Sequence, residues 1–140
     1  MSNIEIDNHT DIEFDYTIAE QITKDLTQKE IELIITNNNF IQKINKEYRN
    51  INKPTDVLSF PLEDTPYAPL GTIIISVDYV QKKAKEYNHS LDDEFTLLYL
   101  HGLLHLLGYD HEVDSGEHRS KEEEFINKYK LPSSLIIRNI

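Results

Sequence analysis

The 140-residue chain contains no cysteine and no tryptophan, and its single methionine is Met1. Without thiols there is no disulfide, no thiolate zinc site and no cysteine nucleophile, and a reducing compartment suits such a chain. Any metal has to be held by His, Asp or Glu. With 4 Gly and 5 Pro the chain also lacks the bias of a fibrous or disordered protein. No stretch approaches the roughly 18 apolar residues of a membrane span, and the N-terminus is acidic where a signal peptide needs a basic start and an apolar run. The expectation is a cytoplasmic protein with no membrane partner. Basic residues are scarce as well, 14 Lys and Arg against 25 Asp and Glu for a net charge of -11. That balance excludes nonspecific coating of nucleic acid by a broad basic surface, so any handling of RNA requires a local basic cleft.

What is present points to one domain over residues 1–140, the size that buries most of its apolar surface around a single core. Periodicity predicts a strand at Asn3 to Ile6 and a helix at Asp15 to Leu26. A strand follows at Glu30 to Ile35, then a helix ending near Arg49 and Asn50. Val57 to Leu62 reads as a short strand interrupted by Pro61, and Leu70 to Val77 as a strand buried on both faces. A helix over Asp78 to Tyr87 comes next. Ser90-Leu-Asp-Asp93 resembles a capping box that opens the most apolar helix, about Leu91 to Leu107, with Gly108 as its stop. A last amphipathic helix runs from about Ser115 to Tyr129 and is ended by Pro132. Strands interleaved with helices indicate an α/β (α+β) layer structure, a small mixed sheet packed with helices, which histidines on the most apolar helix would make zinc-hydrolase-like.

The segment His101-Gly-Leu-Leu-His105-Leu-Leu-Gly108-Tyr-Asp-His111 carries most of the chemistry. Two histidines four apart on a helix lie on one face, so both imidazoles can address one ion. Gly108, just past the helix, can take a positive φ and turn the chain back to deliver His111 as a third ligand. Three imidazoles leave a tetrahedral zinc one open position for water, whose pKa can fall to about 7, and an open position implies catalysis more than structure. The spacing HxxxHxxGxxH is that of the metzincin proteases, but Gly102 stands where those enzymes have a Glu base, and no methionine follows the motif. Both absences point away from peptide hydrolysis and toward a substrate that depends on charge neutralisation, such as a phosphodiester.

The string HGLLHLLGYDH at positions 101 to 111 resembles the HGxLHLxGYDH hallmark of the YbeY family of ribosomal RNA maturation factors. Asn45 to Arg49 with Pro54 to Pro61 is similar to the family's NxxYR and PTDVLSFP segments, and Leu70 to Ser76 to its LGDIxIS strand, with Thr72 in place of the usual Asp. The resemblance covers about residues 29 to 126. It implies one Zn2+ per chain on His101, His105 and His111, and a single-strand-specific endoribonuclease active in ribosomal RNA processing. That role includes 3′-end maturation of the small-subunit RNA and ribosome quality control. Its partners would be single-stranded ribosomal RNA and the small ribosomal subunit with its proteins, and Arg49 corresponds to the family's arginine near the metal. A guanidinium there could hold the scissile phosphate bidentately while zinc-activated water attacks. The catalytic set is then Arg49, His101, His105 and His111.

Around this set, Lys43, Lys46, Arg49 and Lys53 form one local basic group, and Lys82, Lys83 and Lys85 another. Asp110 is a candidate for orienting a ligand imidazole, whereas Asp56 and Ser59 sit in turn chemistry as well as in a family block. His9, His89 and His118 are expected at the surface. Two other readings stay open: a metal-dependent hydrolase of another substrate, and a noncatalytic assembly factor of the small subunit whose zinc fixes the fold.

Overall fold

The computed structural model describes residues 3–62, 65, 68–109 and 115–132. Within them the elements run β1 (Ile4–Asn8), α1 (Thr17–Leu26), β2 (Ile31–Thr36), α2 (Asn38–Arg49), β3 (Val57–Pro61), β4 (Gly71–Ser76), α3 (Val77–Tyr87), α4 (Leu91–Leu106) and α5 (Glu117–Tyr129). The strands make one mixed sheet in the order β1-β2-β4-β3, with β1, β2 and β4 parallel and β3 antiparallel to β4. This is the α+β arrangement that the alternation of apolar periods predicts. β2 and β4 are the inner strands, and their near-continuous Ile and Leu content fits burial from both sides.

Side chains alternate across the pleat and so divide the apolar residues between two layers. Ile31, Leu33, Ile35, Ile73 and Ile75 enter a large core with residues of α1, α4 and α5. Ile74 and Leu58 meet Ile41 of α2 in a smaller one, flanked by Ile34, Ile44 and Phe60. Pro61, which has no N–H to donate, ends the edge strand β3, where a missing ladder bond costs least.

α4 runs through the large core against α1, α3, α5, β3 and β4. Its start is set by Ser90, whose Oγ accepts from Asp93 N at 3.0 Å, the capping contact the sequence predicts. Gly102 lets the helix lie close on the sheet: a Cβ there would sit 3.0 Å from Ser59 Oγ and 3.1 Å from Ile73 Cγ2. Ser59 Oγ donates to the Gly102 carbonyl at 2.9 Å, which ties α4 to the edge strand.

Two expectations are corrected. α5 ends at Tyr129 as expected, but the residue that stops it is Lys130, left-handed with φ 57°, two positions ahead of Pro132. His89 is not a surface residue: its side chain is 7% exposed, with Nε2 2.7 Å from the fully buried Glu94 carboxylate at the corner between α3 and α4. No helix among the described residues is long and apolar enough to cross a membrane.

Candidate metal centre

Between Glu94 and Leu106 every residue of α4 is buried except His101 and His105, which are half-buried. One turn apart, they share a face, and their rings stand 4.7 Å apart between centroids. Their Nε2 atoms approach to 3.1 Å. Two donors of a tetrahedral site, each about 2.05 Å from a zinc ion, are separated by about 3.3 Å, so the pair is spaced as ligands of one ion would be. Past the helix Gly108 has φ 99°, the left-handed turn expected of it. His111 and Asp110 lie outside the described residues.

The third imidazole that the structure places here is His118, expected at the surface and found fully buried in the first turn of α5. Its ring centroid lies 4.8 Å from that of His101 and 4.6 Å from that of His105. A ring nitrogen of each of the three lies within 4.8 Å of the others, close enough for one metal ion. The signal for this was in the pattern: His118, Glu122, Phe125 and Ile126 are the buried positions of α5 and follow i, i+4, i+7, i+8 spacing. The two polar members occupy the same stripe as the two apolar ones.

Glu122, which the sequence reading passed over, organises the cluster. It is 1% exposed, and its Oε1 lies 2.9 Å from His101 Nδ1 and 2.6 Å from His118 Nε2. Burial alone would raise the carboxyl, but hydrogen bonds from His101 and His118, with their charges, hold it down at about 2. A carboxylate that accepts a hydrogen bond from His101 Nδ1–H favours the tautomer whose Nε2 lone pair is free to bind, the usual arrangement behind a metal-ligating histidine. Among the described residues its ion-pair partners are both histidines, and its Oε2 has no hydrogen-bond partner. A cation bound by the imidazoles would compensate a buried anion placed so, and the donor set fits a divalent metal.

Arg49 is not part of this cluster of rings. It is the exposed last residue of α2, the helix on the opposite face of the sheet, beside Tyr48, whose ring meets Phe60 edge-on at 5.6 Å. Lys43 and Lys46 of the same helix line an open pocket of about 420 Å³ with Asn39, Gln42 and Asn52. In the second basic group Lys82 and Lys83 lie over the rings of Tyr79 and Tyr87, and Lys83 also pairs with Glu86. Asp56 Oδ1 accepts from Val57 N at 2.8 Å, a turn contact. Thr72 is half-buried in β4, opposite Phe60 of β3.

Residues 3–130 match the family described as Endoribonuclease YbeY. The chain is 61% identical to the Endoribonuclease YbeY of Aliarcobacter butzleri, over 97% of its own length and 99% of that protein's. It is 48% identical to that of Helicobacter pylori strain 26695, over 96% and 97%. Among solved structures, a Thermotoga maritima protein determined in solution superposes with a TM-score of 0.59 at 26% identity, covering 91% of each chain.

Proposed function

Because the chain belongs to the Endoribonuclease YbeY family, we propose that it is a metal-dependent endoribonuclease that hydrolyses phosphodiester bonds of single-stranded ribosomal RNA. In this reading His101, His105 and His111 hold one zinc ion, and Arg49, beside Tyr48 at the end of α2 next to the edge strand β3 that Ser59 ties to Gly102, engages the scissile phosphate round that edge. The observation that carries it is the 3.1 Å approach of the His101 and His105 Nε2 atoms, backed by the buried Glu122. When bound, a divalent ion among imidazoles supplies Lewis acidity toward a phosphoryl oxygen and lowers the pKa of water toward neutrality.

The chain's own residues do the rest. Glu122 Oε1 keeps the proton of His101 on Nδ1 and so aims Nε2 outward. Arg49 contributes a planar fork of donors that binds two phosphate oxygens at once and neutralises charge that grows as phosphorus is attacked. Gly102 stands where a peptidase has its Glu base and lies tight against Ser59 and Ile73, so a side chain there would have to displace them, and the missing base favours a phosphate ester over a peptide bond. Lys43 and Lys46 on α2 add positive charge for the RNA backbone on a chain that is acidic overall. The wider role we propose is cytoplasmic: maturation of the 3′ end of small-subunit RNA and ribosome quality control, by one domain working with the small subunit and its proteins.

The test is incubation of metal-defined protein with single-stranded ribosomal RNA fragments, comparing the wild type with Arg49→Ala and His105→Ala. Cleavage lost in both variants supports the reading. Cleavage by either variant at the wild-type rate overturns that residue's role.

A further inference from the structure

The motif string accounts for His101 and His105, but not for the third ring of the triangle. Its sides, between ring centroids, are 4.7, 4.8 and 4.6 Å, so His118 stands as close to each motif histidine as they stand to one another. We infer that His118 is itself a ligand of the metal, an imidazole donor beyond the HxxxHxxGxxH string. This rests on the metal-site reading above and sharpens it.

Three observations support the inference. His118 is fully buried, and a fully buried imidazole crowded by two others is costly unless something draws the three nitrogens together. One of its ring nitrogens lies within 4.8 Å of a donor nitrogen of each partner. Glu122 Oε1, which bonds His101 Nδ1 at 2.9 Å, also lies 2.6 Å from His118 Nε2, so one carboxylate faces two imidazoles. Carboxylates behind ligating histidines characteristically take the ring proton that the metal does not replace. Tyr109, its ring 6.4 Å from that of His118, stands beside the triangle.

The consequence is a richer nitrogen set than three histidines of one motif provide. More imidazoles favour late first-row ions such as copper, nickel and zinc over magnesium or manganese, which prefer oxygen. A water or a phosphate oxygen would then enter by expansion of the coordination shell or by release of one ring.

A cadmium-loaded sample tests this without mutation. In wild-type protein labelled with nitrogen-15 in histidine and loaded with cadmium-113, scalar coupling to a ring nitrogen of His118 is expected beside that of His101 and His105. Coupling to His101 and His105 but not to His118 overturns the inference and leaves the metal site standing. A protein that takes up no cadmium and no zinc overturns both. As a second measurement, His118→Ala and His118→Phe, checked for native circular dichroism, are loaded with zinc. X-ray absorption should count one imidazole fewer than in the wild type, and zinc affinity should fall at least tenfold to a hundredfold. Loss of an orienting residue alone already costs on the order of tenfold to a hundredfold in affinity, so the count decides. In His118→Ala loaded with cobalt, added imidazole should restore the wild-type visible spectrum. An unchanged count in both folded variants overturns the inference.

Discussion

On one face of the sheet α1, α4 and α5 bury Ile31, Leu33, Ile35, Ile73 and Ile75 under a continuous layer that includes Phe95, Tyr99 and Leu103. On the other face α2 rests on Ile34 and Ile74, and the buried apolar cluster is Ile41, Leu58 and Ile74. The thick layer holds His101, His105, His118 and Glu122, whereas the thin one carries Lys43, Lys46, Arg49 and the exposed Tyr48 and Phe40. Ligands of a metal need positions fixed to a fraction of an ångström, which a packed layer supplies. Cations that follow a nucleic-acid backbone need reach and exposure, and a lightly covered face leaves them both.

The contrast can be broken at several points. The largest effect is expected on the thick side: His101→Ala/His105→Ala should take the metal from about one ion per chain to background by elemental analysis. Unchanged metal content in that variant would remove the ligand assignment altogether. Next, Leu103→Ala, in the thick layer, should destabilise the fold by roughly 3 to 5 kcal/mol in urea unfolding, and Ile41→Ala, in the thin one, by roughly 2 kcal/mol, because α2 can settle into the space. Equal losses would show that the two layers are equally rigid.

Arg49→Ala sharpens the comparison from the thin side. It should keep its metal and its melting temperature while cleavage falls about a hundredfold, on the order of 3 kcal/mol of barrier, and Arg49→Lys should recover little of it. A loss of activity that merely follows a loss of folding would count against the assignment. The smallest effect is expected from Gly108→Val. A Cβ there meets nothing within 4 Å, so only the positive φ is penalised, by about 1 to 3 kcal/mol, and zinc binding should weaken while helical content persists. Equal zinc affinity in the two proteins would show that the turn needs no glycine.

Much of this was legible in the chain because local chemistry decides it. Of the run LGTIIISV, GTIIIS became β4 while Val77 opens α3, Ser90 caps α4, and the i, i+4 pair at 101 and 105 shares a face. What was not legible depends on contacts distant in sequence. His118 reads as polar and near a helix start, hence exposed, until α5 is docked and its stripe is seen to run from His118 and Glu122 into Phe125 and Ile126. His89 is buried against Glu94, one turn into the next helix. The Gly102 position was read as a missing base. The close approach of α4 to β3 that fills this space appears only once strand and helix are brought together.

The hydrogen bond from His101 to Glu122 joins residues 21 apart on separate helices. His101 and His105 meet as soon as one helix forms, whereas Glu122 and His118 arrive only when a second helix has closed over the first. The complete centre therefore exists only once the loop between the helices has been closed, at its entropic cost. An ion that binds the finished cluster and not the open chain stabilises the closed state by mass action, so it should slow the rate at which α5 comes away. The metal would act on this chain as a latch, setting how long the closed state lasts.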